Sequence, residues 1–449
     1  MPDFTYLSRE QAQALAKRVL GFSKAEEARV NISSGWSGNT RFAANEITTA
    51  GGTTDTTVTV TSTFGRRRAA AQTNVLDDAS LRRAVELSER LARLAPEDPE
   101  LMPELGAQQY VTVANAYAER TAELTPEARA LAVKRVLDGA ASAGAAGVDP
   151  KSLFVAGFLE ASAGVNSAVA TSKGLFAYHT ATGVNLSTTA RTPDGTGSGY
   201  ATAGGRDWGQ LDPAALGRRA AAKAVASRNP VAIEPGQYTV VLEPQAVSDL
   251  LPYMLGSFNA RSSDEGRSAF SKPGGGSKVG EKIADPRVTL YSDPADAELL
   301  EQPFDNEGLP VRRTVWIENG VLSNLAYSRY WAQKQGKQPT GGAGGGGGGG
   351  GGFGGPAGGL KMAGGTKSTD ELIAGTERGI LVTRFWYIRF LDQRTVLVTG
   401  LTRDGTFLIE GGKITRAVKN FRFNESPLFV LNKLDELGRA ERVSAGLVV

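Results

Sequence analysis

Hydrophobic and polar positions switch several times between helical and strand spacing, and the switches divide the chain into three units. Ser8 to Val19 has helical spacing. From Ala28 polar and apolar residues alternate, and Thr57-Val58-Thr59-Val60-Thr61 reads as a strand with one apolar face. The glycine and arginines of Gly65-Arg66-Arg67-Arg68 predict a solvated, basic hairpin end, since no aromatic platform accompanies them. Asp77-Asp78-Ala79-Ser80 offers capping groups for a helix whose Ala84, Leu87, Leu91 and Leu94 recur three and four apart, and Pro96 with Pro99 ends it.

After a connector, Thr125-Pro126-Glu127 has the form of a cap followed by proline at the first helical position, and the helix is expected to reach Ala143. Short strands are expected at Phe154 to Ala161, Ser167 to Lys173, Leu175 to Thr182 and Val184 to Ala190. A Ser/Gly-rich loop or hairpin tip over Thr192 to Gly205 and an alanine-rich helix from Asp212 to Ala226 complete the second unit. The third opens with strand Tyr238 to Leu242 and helix Ala246 to Leu255. Its clearest hairpin is Val311 to Ile317, Glu318-Asn319-Gly320, then Val321-Leu322, where Asn-Gly supplies the positive φ angles of a tight turn. Gly341 to Gly359, with its unbroken run Gly344 to Gly352, loses too much entropy on ordering and offers nothing to pack, so a flexible surface loop is expected. The expected fold class is α+β and multi-domain, with mixed and antiparallel sheets flanked by helices. The units are 1–110, 111–232 and a β-rich 233–449.

Composition narrows the chemistry. The 449 residues carry 50 basic and 47 acidic side chains, one histidine and no cysteine. A net charge of +3 implies neither nucleic acid nor a membrane surface, and no apolar run is long enough to span a bilayer, so a cytoplasmic protein is expected. Zinc normally takes imidazole or thiolate ligands, of which only His179 is present. His179 sits in the β-prone Phe176-Ala177-Tyr178-His179-Thr180, where a strand histidine meeting a carbonyl or solvent is the simplest reading. Gly364-Gly365-Thr366-Lys367-Ser368 fails as a phosphate loop, because Thr366 stands where the glycine before the lysine belongs and no strand leads into it.

Two acidic clusters stand out, Asp264-Glu265 with Arg267 and Asp305 with Glu307. Close carboxylates suit a hard cation or an acid/base pair, but Gly266 and Gly308 mark turns whose amides the same side chains can satisfy. Arg403-Asp404 falls in a turn between strands Thr395 to Leu401 and Thr406 to Ile409, and lining a peptide channel is its alternative role.

Together these segments resemble the TldD/PmbA (TldE) family of DNA gyrase modulators and metallopeptidase-related proteins. Arg41-Phe42-Ala43-Ala44-Asn45-Glu46-Ile47-Thr48 resembles the family's first strand motif, and Thr73 to Asp78 resembles the family's next stretch. Glu265-Gly266-Arg267-Ser268 with Val279 to Lys282, Asp305 to Pro310 leading into Arg312 to Leu322, Glu371-Leu372-Ile373 and Arg378 to Val382 recur in family order. The resemblance runs from about residue 28 to 440 and implies a TldD/PmbA-like fold. It also implies a cytoplasmic heterodimer of homologous subunits that encloses a cavity and acts on unfolded peptides.

In the TldD-like subunit a His-Glu-x-x-x-His helix and a cysteine hold zinc. The matching helix here reads Leu242-Glu243-Pro244-Gln245-Ala246-Val247-Ser248-Asp249-Leu250, with Pro244 and Asp249 at the histidine places and Gln245 at the glutamate's. The resemblance therefore implies no catalytic and no metal residue in this chain, and zinc only in a TldD-like partner. Asp264, Glu265, Arg267, Asp305, Glu307, Arg403 and Asp404 are its candidates for peptide or partner contact. An autonomous hydrolase using the acidic clusters with a hard metal, and a non-enzymatic homodimeric binding protein, are the open alternatives. Polyglycine replaces a family loop, and the apolar end Leu447-Val448-Val449 reads as a strand where the family is expected to continue.

Overall fold

The computed structural model describes residues 6–143, 149–341, 356, 359–444 and 447–449. The expected polyglycine loop lies outside the described residues, apart from positions 341, 356 and 359.

Residues 27–205 build a single six-stranded antiparallel sheet in the order β3-β2-β1-β4-β5-β6. Its strands are β1 (Glu27–Ala43), β2 (Glu46–Phe64), β3 (Arg67–Thr73), β4 (Phe154–Thr171), β5 (Phe176–Arg191) and β6 (Ser198–Gly205). The alternation seen from Ala28 continues without a break through β1, whose even-numbered residues are buried. One face carries all the helices, in two groups. Helices α1 (Arg9–Phe22) and α2 (Asp78–Leu94) cover Val30, Ile32, Val58 and Val60 at one end. Helices α3 (Glu119–Ala122), α4 (Pro126–Ala141) and α5 (Pro213–Ala226) cover Trp36, Phe42, Leu159 and Leu186 at the other. The sheet thus crosses the expected boundary at 110/111, with β1 pairing β4 along most of its length.

Several expectations are corrected. The four short strands after Ala143 are two long ones, and Gly164, between the first two expected ranges, is a place of close approach where a Cβ would lie 2.3 Å from Ser34 O of the neighbouring strand. Of the expected loop or hairpin tip Thr192 to Gly205, residues 192–197 turn the β5–β6 hairpin, while Ser198–Gly205 is strand β6. Its Gly199 admits the backbone of α5, since a Cβ there would meet Ala220 O at 2.2 Å. On α2 the buried side is Leu81, Ala84, Val85, Ser88 and Ala92, while Leu87, Leu91 and Leu94 are exposed. Ser88 and Glu89 disguised the inner face: Ser88 Oγ bonds Ser62 Oγ at 2.7 Å, and Glu89 accepts from Lys24 N and Ser23 Oγ. The basic hairpin end is not simply solvated, because Arg68 turns inward to Glu104.

Helices α4 and α5 meet through glycine. A Cβ on Gly217 would lie 2.0 Å from Val136 O, and one on Gly139 2.2 Å from Ala214 O. Gly217→Val should push the pair apart and cost about 2 kcal/mol, read as a lower urea midpoint, and an unchanged midpoint would contradict this contact.

The third unit packs three smaller sheets. One has the order β16-β15-β12-β7, and β7 (Val240–Leu242) lies parallel to β12 (Arg378–Val382). Next come α6 (Pro244–Leu250), α7 (Pro252–Leu255), where Pro252 divides the helix expected over Ala246 to Leu255, and α8 (Ala260–Asp264). The second sheet holds β8 (Leu290–Ser292), β9 (Thr314–Glu318), β10 (Val321–Leu322), β11 (Leu360–Met362), β18 (Arg442–Ser444) and β19 (Leu447–Val448). The β9–β10 turn has φ of 49° at Asn319 and 80° at Gly320, as the Asn-Gly signal predicts. Helices α9 (Arg329–Gln335), α10 (Thr369–Ala374) and α11 (Pro427–Asn432) lie among the strands. The third sheet is β13 (Phe385–Asp392), β14 (Leu397–Thr402) and β17 (Arg422–Glu425), while β15 (Thr406–Glu410) and β16 (Lys413–Ala417) belong to the first. The Arg403-Asp404 turn therefore joins two sheets. No helix among the described residues is long and apolar enough to cross a membrane.

Candidate functional site

The parallel pairing of β7 and β12 fixes the start of α6, where Glu243 N–H donates to Val382 O at 3.1 Å. Gln245 and Asp249 then share one helix face, being four residues apart. Gln245 Nε2 donates to Asp249 Oδ1 at 2.7 Å, and Phe385 N–H donates to Asp249 Oδ2 at 2.9 Å. Burial pushes the Asp249 carboxyl up to about 6, despite these donors and the nearby Arg384 cation. Gln245 Oε1 is buried with no hydrogen-bond partner among the described residues.

The β14–β15 turn brings a second carboxylate. Asp404, with φ of 55°, is buried. Its Oδ1 accepts from Ser198 Oγ of β6 at 2.6 Å, and its Oδ2 faces Arg384 Nη1 at 3.3 Å and Arg403 Nε at 3.6 Å. The Arg384 guanidinium lies 3.9 Å from the ring centre of Tyr200 and 5.0 Å from that of Trp386, while Arg403 lies over Trp386 at 4.6 Å. Lys223 of α5 reaches Glu243 at 2.5 Å, and burial lowers its ammonium's pKa against the pull of that carboxylate. The large sheet and the third unit meet at this site. Its outer side is the edge strand β13, where Trp386 and Tyr387 are exposed and Tyr387 takes φ of 56°.

This donor set does not fit zinc. Pro244 has no side-chain donor atom, Gln245 has no ionisable group with which to activate water, and the lone carboxylate at the third place is already bound by Gln245 and Phe385. Two carboxyls and two arginines lying over aromatic rings suit recognition of a polar chain.

The other sequence candidates have local duties. Asp264 Oδ2 accepts from Trp331 Nε1 at 2.6 Å, and Glu265 is held by Arg261 at 2.9 Å and by Arg267. Asp305 Oδ1 accepts the N–H groups of Glu307 and Leu309 at 2.9 and 3.0 Å, and Glu307 pairs with Arg329 at 3.2 Å. Trp331 and Arg329 both belong to α9, so that helix ties the two acidic clusters together. Arg403 and Asp404 belong instead to the α6 site. Among the described residues no group of three or more His, Cys, Asp or Glu side chains is arranged to hold a metal ion.

The carbonyl or solvent expected to meet His179 is absent at its Nε2 among the described residues. His179 is buried, and burial with the Arg206 charge pushes its pKa down to about 4. Sequence reasoning missed Ser198, Tyr200, Lys223, Arg384 and Trp386. The one available signal was the aromatic-basic run Arg384-Phe385-Trp386-Tyr387-Ile388-Arg389.

Comparison with known proteins identifies two matching stretches of the chain. The PmbA/TldA metallopeptidase central domain matches residues 120–228, and the PmbA/TldA metallopeptidase C-terminal domain matches residues 235–449. A metalloprotease of Methanothermobacter thermautotrophicus is 29% identical over 295 residues, 63% of this chain and 62% of the relative. A metalloprotease TldD homolog of Haemophilus influenzae is 25% identical over 175 residues, 38% of this chain and 35% of the relative. The match therefore spans less than two thirds of either relative's length. The crystal structure of TldE from Thermococcus kodakarensis superposes with a TM-score of 0.84 at 19% identity, covering 98% of this chain and 97% of that one, a likeness of fold.

Proposed function

The chain belongs to the PmbA/TldD family of metallopeptidase-like proteins, and from that premise we propose that it is the non-catalytic subunit of a two-chain cytoplasmic peptidase. The observation that carries this reading is the α6 face, where Pro244, Gln245 and Asp249 stand at the places of a His-Glu-x-x-x-His motif. The chain contributes a wall of the substrate chamber and holds unfolded peptides against β13, with Arg384, Arg403 and Asp404 beside the bound segment. A homologous TldD-like partner supplies the zinc and the hydrolysis. The autonomous hard-metal hydrolase loses support because Asp305 and Glu307 are engaged in a turn and an ion pair.

The test is coexpression with a homologue that carries the histidine motif. The two chains should copurify, and peptidase activity should require both. Robust peptide hydrolysis by the isolated chain after chelation and metal removal would overturn the reading.

A further inference from the structure

We infer that the edge of β5 between Phe176 and Thr180 binds an extended peptide and takes one of its bulky apolar side chains into the aromatic groove alongside. The inference rests on the reading of this chain as a peptide-handling subunit and assigns it a binding place far in sequence from α6.

Strand β5 pairs with β4 from Phe176 onward, but β6 joins its other side only from Val184. Among the described residues, the stretch before Val184 therefore has a strand on one side alone. Thr182 N–H reaches across this side to Ala116 O at 3.0 Å, the form of contact that an added chain would repeat. Main-chain groups of alternate residues point the same way along a strand, so Thr180 and Tyr178 present theirs to the same side.

Beside that edge lies a groove of about 530 Å³, walled by Tyr110, Tyr117, Phe176, Tyr178 and Phe304, with Arg9 at its margin. The ring hydroxyls are already engaged. Tyr110 donates to Gly308 O at 2.8 Å, Tyr178 donates to Leu7 O at 2.9 Å, and Tyr117 bonds Tyr6. Tyr110 also packs against Phe304 with ring centroids 5.0 Å apart, and the Arg9 guanidinium lies 5.3 Å from the centre of Phe176. With their polar ends tied back, the rings offer apolar surface, and they need little reordering to receive a side chain. Main-chain donors and acceptors repeating every second residue suit another main chain better than a compact ligand, and a pocket beside such an edge gives side-chain selectivity.

The probe is a fluorescein-labelled peptide, Gly-Ser-Thr-Phe-Thr-Ser-Gly, titrated with the full chain and followed by anisotropy. Alanine in place of its phenylalanine should weaken binding about tenfold or more, and N-methylation of alternate backbone nitrogens should weaken it comparably. Tyr117→Ala should also weaken it, and Thr180→Trp, which fills the groove, should abolish it. Full affinity in both variants, with unchanged circular dichroism, overturns the inference, as does indifference to N-methylation. The N-methyl comparison uses the unaltered chain, so it decides even if Thr180→Trp fails to fold. Binding lost in Arg384→Ala but kept in both groove variants overturns the groove alone and leaves peptide handling at α6 standing. Absence of binding by any of the peptides overturns both.

Discussion

Replacing Glu104 with glutamine should cost about 3–5 kcal/mol of stability, the usual consequence of removing one partner from a buried ion pair. The Glu104 side chain is wholly buried. It receives Arg29 Nη1 at 3.2 Å and Arg68 Nη2 at 2.9 Å, from β1 and β3 respectively. Burial already lowers the pKa of the Arg68 guanidinium, with Glu104 opposing that shift. Removing the negative charge leaves two guanidinium groups facing each other with little water to screen them. Urea unfolding should show a lower midpoint, and a double-mutant cycle with Arg68→Met should recover part of the loss, because the second change removes one stranded cation. A loss below about 1 kcal/mol would mean that the cluster is far better hydrated than its burial implies.

Asp249→Asn should have the opposite sign and a marked dependence on pH. An aspartate free in the unfolded chain titrates near 3.9, whereas burial holds Asp249 at about 6. The native state therefore binds this proton more tightly than the unfolded state does. Its contribution to stability is fully present below about pH 4 and is lost as pH rises through 6. A shift of about two units corresponds to about 3 kcal/mol. Asparagine mimics the neutral carboxyl, so the variant should match the parent near pH 4 and exceed its stability by up to about 3 kcal/mol at pH 8. Denaturation curves collected across that range provide the check. A difference between variant and parent that stays flat from about pH 4 to 8 would contradict the assignment. A stabilised Asp249→Asn variant that still assembles with its partner would separate the carboxyl's role in recognition from its effect on folding.

The sequence revealed local structure well where a short-range rule governs it. Asp77 and Thr125 cap their helices through side-chain oxygens, and Asn319-Gly320 turns its hairpin. It misled where distant contacts decide. The outward leucines of α2 keep helical spacing as well as the inner face does, and tertiary contacts distinguish the two, with Leu81 and Val85 in the cluster of Val58 and Val60 and Ser88 bonded to Ser62. The glycines around Ser198 read as a loop or hairpin tip until α5 is laid against them. The α6 site was half legible: the missing histidines were evident, yet Asp404 meets Ser198 across more than two hundred residues, and no local pattern announces such a contact.

The single sheet shared by residues 27–205 also limits how this protein could be inherited in pieces. A gene fragment beginning at residue 120, where the central domain match starts, would encode β4, β5 and β6 with β4 stripped of its β1 neighbour. Such an edge invites pairing with any other extended chain. Recombination that respects folding would carry the first two units together and cut between β6 and β7, so the modules legible in sequence are smaller than the module that can be exchanged.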